Sequence, residues 1–378
     1  MPLFYPHRRF GRFGLGMGLA SALLHERFGV DFGERFHTDI VFRVESLMEI
    51  DRLVWESFRE LGLGYEKPFP RATIEPFGHR FIPVMYGSPC AYASAEEPAV
   101  RPRALNPGEL ASLPVWTAER FEATDAVRQI TSQAKTLRER YPDLSEYAGR
   151  MEYNPHSQPL SSLQNLGSVI NSAVSIFGEN VLLLYEDDPS ALRSFYRNLT
   201  DLMLLCLDWF PRCDGRRLTH VFVGDCTVAM ISPRQYEACN LSFDGKLSRY
   251  AASIGARFLV HQDSGATAHL RNYARLAPVH ALDFGQDTDF TEASRLFPGA
   301  SANCIIFPSW ISSTPVEEIT AELARIMRAG LSLRSFTFSI FEVDPALAAG
   351  KIFEFFDIFR RCAESVSQEE TVELRSNE

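Results

Sequence analysis

The chain has 378 residues, is 46% hydrophobic and 23% charged, and carries a formal net charge of -10. Those values fit a globular protein with a large core, and exclude a disordered or disulfide-scaffold chain. The negative balance, with no long basic run, argues against nucleic acid or an anionic membrane surface as a partner.

Near the N-terminus, basic residues (His7, Arg8, Arg9, Arg12) precede an apolar stretch, Phe13 to Leu24, that superficially resembles a secretory signal. Three glycines (Gly14, Gly16, Gly18) interrupt it, and Leu23-Leu24 continue it past the would-be cleavage site, so a cytoplasmic protein is expected. Seven cysteines without a CxxC pair agree with a reducing compartment. Met48, Leu53, Val54, Phe58 and Leu61 recur at helical spacing, which predicts a helix over Leu47 to Leu61. Proline density from Pro68 to Pro107 predicts short strands and loops covering one end of a core. Residues 1 to 110 are therefore expected to be helical and irregular additions to a single domain spanning 1–378.

Further helices are predicted from Asn106-Pro107, over Ala123 to Tyr141, and over Ala191 to Phe210. From there strands and helices alternate. The strands are Leu218 to Gly224, Arg257 to Val260, Val279 to Leu282, Asn303 to Phe307 and Arg334 to Phe341. The intervening helices are Pro233 to Ile254, Ala266 to Leu276, Phe290 to Phe297 and Thr314-Pro315 to Met327, with a last one over Pro345 to Arg361. Five strand–helix units with short loops imply parallel strands, in either a barrel or an open sheet. No GxGxxG opens any unit, which weakens a dinucleotide site.

In such folds the site forms where strands end. Asp225, His261, Asp263, Asp283, Cys304 and Glu342 stand at or near those ends. In His261-Gln262-Asp263, residues i and i+2 of an extended chain point the same way, so imidazole and carboxylate can converge. Gln262 then points toward the helical layer, or into the loop if the strand has already ended. His261, Asp263 and Asp225 are the catalytic candidates, with Asp283, Cys304 and Tyr86 at the substrate. His79 and His156 in loops, and Arg80 and Phe81, are secondary candidates.

The segments GENVLLLYEDDPSALRSFYRNLTDLM (Gly178 to Met203), GDCTVAMISPRQYEACNLSFDGKL (Gly224 to Leu247), HQDSG (His261 to Gly265) and VHALDFGQDTDFTEASRLFPG (Val279 to Gly299) resemble the uroporphyrinogen decarboxylase superfamily. That superfamily also holds zinc-dependent corrinoid and thiol methyltransferases. The resemblance covers roughly 150 to 200 residues and implies a (β/α)₈ TIM-type barrel with N-terminal additions. The methyltransferase branch has H-x-C at the strand end and a later cysteine, together holding zinc. Here those positions are His261, Asp263 and Glu342, so the resemblance implies a metal held by one imidazole and two carboxylates. Zinc is the first choice, with iron and manganese compatible. It further implies a methyltransferase-like group-transfer or lyase enzyme on a small polar substrate, with a corrinoid or thiol co-substrate. Two readings stand beside it: a metal-free decarboxylase with His261 as general acid/base, and a non-catalytic barrel that binds a corrinoid or protein partner. The arginine-rich anion motif of the decarboxylases is not found. Phenylalanines of the last helix (Phe353, Phe355, Phe356, Phe359) suit either barrel packing or a homodimer.

Overall fold

The computed structural model describes residues 3–71, 73–104, 107–110, 112–142, 167–214, 218–276, 278–347 and 349–376. Its centre is one seven-stranded sheet, curled into a half-barrel. The strands are β1 (Leu3–Phe10), β2 (Phe13–Leu19), β5 (His220–Gly224), β6 (Arg257–Gln262), β7 (Val279–Gly285), β8 (Ser301–Ile306) and β9 (Ser335–Val343). A separate two-stranded ladder pairs β3 (Cys90–Ala91) with β4 (Ala99–Val100).

In space the order is β1-β2-β9-β8-β7-β6-β5, all parallel except β1 against β2. Each step from β5 to β9 returns through a helix, as the alternating sequence demands. The eight-stranded closed barrel expected from the resemblance is not what the described residues show. They form a sheet with edges at β1 and β5.

The signal-like stretch is β2 and the start of a helix over Ser21–Phe28. Phe13, Leu15, Met17 and Leu19 alternate with three glycines, which is period-two patterning of a strand covered on both faces. β2 pairs with the last strand, β9, so residues 3–19 complete the sheet and are not a mere cover of it. On the concave side a Cβ at Gly18 would stand 2.8 Å from the Phe4 ring, which would have to move.

Behind the sheet, Phe13, Phe336, Phe338 and Phe359 form a chain of tilted and edge-on rings, which joins β2 and β9 to the final helix, Ala349–Ser376. Phe355 and Phe359 are fully buried there, so packing against the sheet accounts for them.

Helices broadly follow the sequence, with shifted bounds. The first predicted helix starts earlier, at Ile40, because Asp39 caps it by accepting from the Val41 and Phe42 amides. The stretch Pro233 to Ile254 splits at Asn240 into Pro233–Cys239 and Leu241–Ser253. The predicted helix after β6 is reduced to two short turns, Thr267–His269 and Leu270–Tyr273. No helix among the described residues is long and apolar enough to cross a membrane.

Candidate active site and metal centre

The concave face of the sheet encloses a cavity of about 730 Å³. Four side chains at matched positions cross its wall, one from each of four adjacent strands. Strand pairing sets His261 beside Asp283, Asp283 beside Asn303, and Asn303 beside Thr337. The Asp283 carboxylate stands 2.8 Å from His261 Nδ1 through Oδ2. Asn303 Nδ2 donates to Asp283 Oδ1 at 2.7 Å. Thr337 Oγ1 donates in turn to Asn303 Oδ1 at 3.0 Å.

Both Asp283 oxygens are thus engaged, and Nδ1 of His261 is committed to one of them. That leaves Nε2 of His261 for other partners. The ring is buried between Phe222 and Phe341, with centroids 5.4 and 6.2 Å away. Burial by itself would lower the histidine's pKa. The adjacent Asp283 carboxylate outweighs it and holds the pKa well above the ordinary value.

Cys226, His261 and Asp263 each offer a ligand atom, all within 4.8 Å of one another. Their placement follows from strand phase. Gly224 pairs with His261, so Cys226 and Asp263, each two residues further on and just past its strand end, are brought to the same level. A thiolate, an imidazole and a carboxylate suit zinc, with the fourth position left open. Asp283 on Nδ1 also matches the outer partner that a metal-bound histidine usually has. The residues present therefore fit a bound divalent metal.

Glu342 lines the same cavity but lies outside that three-residue group. It reaches the cavity through a bulge in β9. The register against β2 slips between Met17 and Leu19, and Glu342 takes a left-handed backbone (φ 56°). Its neighbour Phe341 lines the cavity too. Partial burial, then the Glu97 and Asp263 carboxylates, raise the Glu342 pKa. His79 and Arg80 stand on the cavity wall with Glu97. His156 lies outside the described residues.

Four of the sequence candidates do not reach the cavity. Phe81 is buried in the core against Phe77 and Phe121. Cys304 alternates with the inward-facing Asn303, is fully buried on the helical side, and has its thiol pKa raised by that burial. Tyr86 is buried against Trp116 and Phe195, and its hydroxyl binds Asn198. Asp225 is one residue out of phase with Cys226, so it points behind the sheet and accepts from the Tyr273 hydroxyl at 2.8 Å. Its carboxyl is pushed well up by burial and by the nearby Asp244. Gln262 is still within β6 and so takes the first of its two expected placements, facing the helices, with Oε1 3.0 Å from the Tyr273 hydroxyl. Cys226 and Asn303 are the residues that sequence reading missed. Each is adjacent in sequence to a candidate, Asp225 or Cys304, and strand phase is the signal that separates the two.

No protein-family model matches the chain, and no curated protein matches it in sequence. Among solved structures, it is similar to a methyltransferase from Methanosarcina mazei. The TM-score is 0.54 at 12% identity, with 94% of this chain and 93% of that chain covered. The likeness is one of fold, and it extends over nearly the whole of both chains.

Proposed function

We propose that this protein is a methyltransferase-like group-transfer enzyme that uses a divalent metal, zinc first, held by Cys226, His261 and Asp263. The observation that carries the reading is the convergence of those three donors on one wall of a large cavity. The fold likeness to a methyltransferase supports it at the level of architecture. Once bound, the metal would supply Lewis acidity to a substrate atom at its open position. The chain's own contributions are distinct. Asp283 fixes the tautomer and direction of His261, Asn303 and Thr337 fix Asp283, and Phe222 and Phe341 limit water around the ring. Glu342 stands near enough to Asp263 to feel its charge, and its raised pKa suits it to exchange a proton with a substrate. A small thiol and a methyl-corrinoid are the proposed co-substrates.

The test is zinc loading of chelator-treated protein, followed by methyl transfer from methylcobalamin to 2-mercaptoethanol, read by the absorbance of the corrinoid. About one zinc per chain and zinc-dependent turnover are expected. A chain that takes up no metal, or turns over equally without it, would sink the proposal.

A second reading rests on the Asp283 carboxylate 2.8 Å from His261 Nδ1, which favours the protonated ring. A protonated imidazole held by Asp283 is a general acid, as a metal-free decarboxylase needs. Activity that survives chelation and follows the titration of a single histidine would favour it.

A further inference from the structure

The cavity has two chemically opposite ends. Its carboxylates, Glu97, Asp263, Asp283 and Glu342, lie at the level of His261 or toward the carboxyl ends of the strands, with His79 and Arg80 beside Glu97. At the other end it is lined by four arginines. Arg257 opens β6, Arg12 and Arg334 directly precede β2 and β9, and Arg9 is the penultimate residue of the antiparallel β1. Ser301 and Ser335, paired at the starts of β8 and β9, add hydroxyl groups beside them. Four guanidinium groups at one mouth make it locally cationic in a chain of net charge -10, which favours an anionic ligand there.

Between the two ends the wall is mostly small or apolar, with Gly14, Gly16, Leu259 and Ala281. Arg12 is held in place, its Nη2 donating to Leu331 O at 2.8 Å. Arg9 and Arg334 are exposed at the mouth, within reach of an incoming ligand.

We propose that this arginine-lined mouth is a second binding site, which takes the phosphate or carboxylate tail of an elongated ligand whose other end reaches His261. His261 lies four residue steps along β6 from Arg257, so the ligand would span about 13 Å. Guanidinium groups suit the task because they bind oxyanions in a bidentate fashion, and the serine hydroxyls can complete the shell. The site does not depend on the metal reading, since the tail binds far from Cys226 and Asp263.

The test uses metal-free protein at fixed ionic strength, with inorganic pyrophosphate and succinate as separate probes and thermal unfolding as the readout. At least one probe should raise the unfolding temperature in a saturable way. Binding to Arg9→Gln/Arg334→Gln should be at least about tenfold weaker, from loss of two charge-assisted contacts. The control Arg295→Gln/Arg325→Gln, on outer helices, should bind as the parent does. A response to pyrophosphate alone identifies a phosphate tail, and one to succinate a carboxylate tail. Circular dichroism checks that the variant folds, and the single variant Arg334→Gln serves if the double one does not. No response to either probe, or an undiminished response in the folded Arg334 variants, overturns the proposal.

Discussion

Asp283 Oδ2 stands 2.8 Å from His261 Nδ1, and strand register alone accounts for the meeting. The two residues are direct partners across a parallel pair, on the concave side of both strands. Continuing across the sheet, the same row delivers Asn303 and Thr337 as successive donors. A histidine held in this way has one ring nitrogen fixed and the other available. That is a requirement of both functions considered, metal ligation and acid/base catalysis.

Asp283→Asn should test that row without emptying it. The amide keeps the shape but loses the charge that holds His261 above its ordinary pKa, so the histidine should titrate lower. Zinc affinity is expected to fall about 10- to 100-fold, the usual cost of losing an outer-shell carboxylate. Competition with a chromogenic chelator measures the affinity, and NMR of the ring protons gives the titration. An unchanged histidine titration would mean that Asp283 does not govern the ring.

Cys226→Ala and Glu342→Gln separate two possible ligand sets. The family resemblance pairs His261 and Asp263 with Glu342, whereas the donor atoms converge with Cys226. Removing the thiol should therefore weaken zinc by more than about 100-fold, beyond an outer-shell loss. Glu342→Gln should keep about one zinc per chain and affect turnover instead. Metal content of both purified variants decides the matter, and the reverse pattern would restore Glu342 as the ligand.

The misplaced residues show where sequence reading stops. Strand and helix alternation after residue 218 was legible, because period-two and helical patterns there are strong. The side of the sheet a residue faces depends on strand phase, which a short apolar run does not fix. Asp225 and Cys304 each stand one position out of phase with the residues that face the cavity, Cys226 and Asn303. Glu342 reaches the cavity only through a bulge with φ of 56°, and nothing in FEV announces a bulge. In β2, glycines on one face and large apolar residues on the other imitate the composition of a leader. Its partner, β9, lies more than 300 residues away in the chain, beyond any local pattern. His261 and Asp263 were legible because the H-x-D spacing carries its own phase.

Gly285→Ala should damage the site without touching a ligand. A Cβ there would lie 2.2 Å from the Asp263 carbonyl oxygen and 2.8 Å from Ser264, both backbone atoms that cannot swing aside. The loop carrying Asp263 must move, at a cost of about 1–3 kcal/mol for an overpacked position. Urea unfolding should show that loss, and zinc affinity should fall with it. A variant as stable and as tightly metal-binding as the parent would mean that this loop is less closely packed.

Behind the sheet, Asp244 should make stability depend on pH in an uncommon direction. Its carboxyl is fully buried and accepts from the Tyr236 hydroxyl at 2.7 Å. Burial pushes its pKa up to about 7, from 3.8. A carboxyl with a higher pKa in the folded state binds more protons there than when unfolded. Its contribution is fully present below pH 4 and is lost as pH rises through 7, by up to about 4 kcal/mol. Paired surface carboxylates work the other way, so the parent protein will show the sum of both. Asp244→Asn stays neutral at every pH and should remove the Asp244 component, together with the part of the Asp225 shift that Asp244 causes. Urea unfolding at pH 5 and pH 8 should therefore show the variant gaining stability relative to the parent as pH rises. A constant difference between the two proteins across that range would show that Asp244 is already charged in the folded state at pH 5.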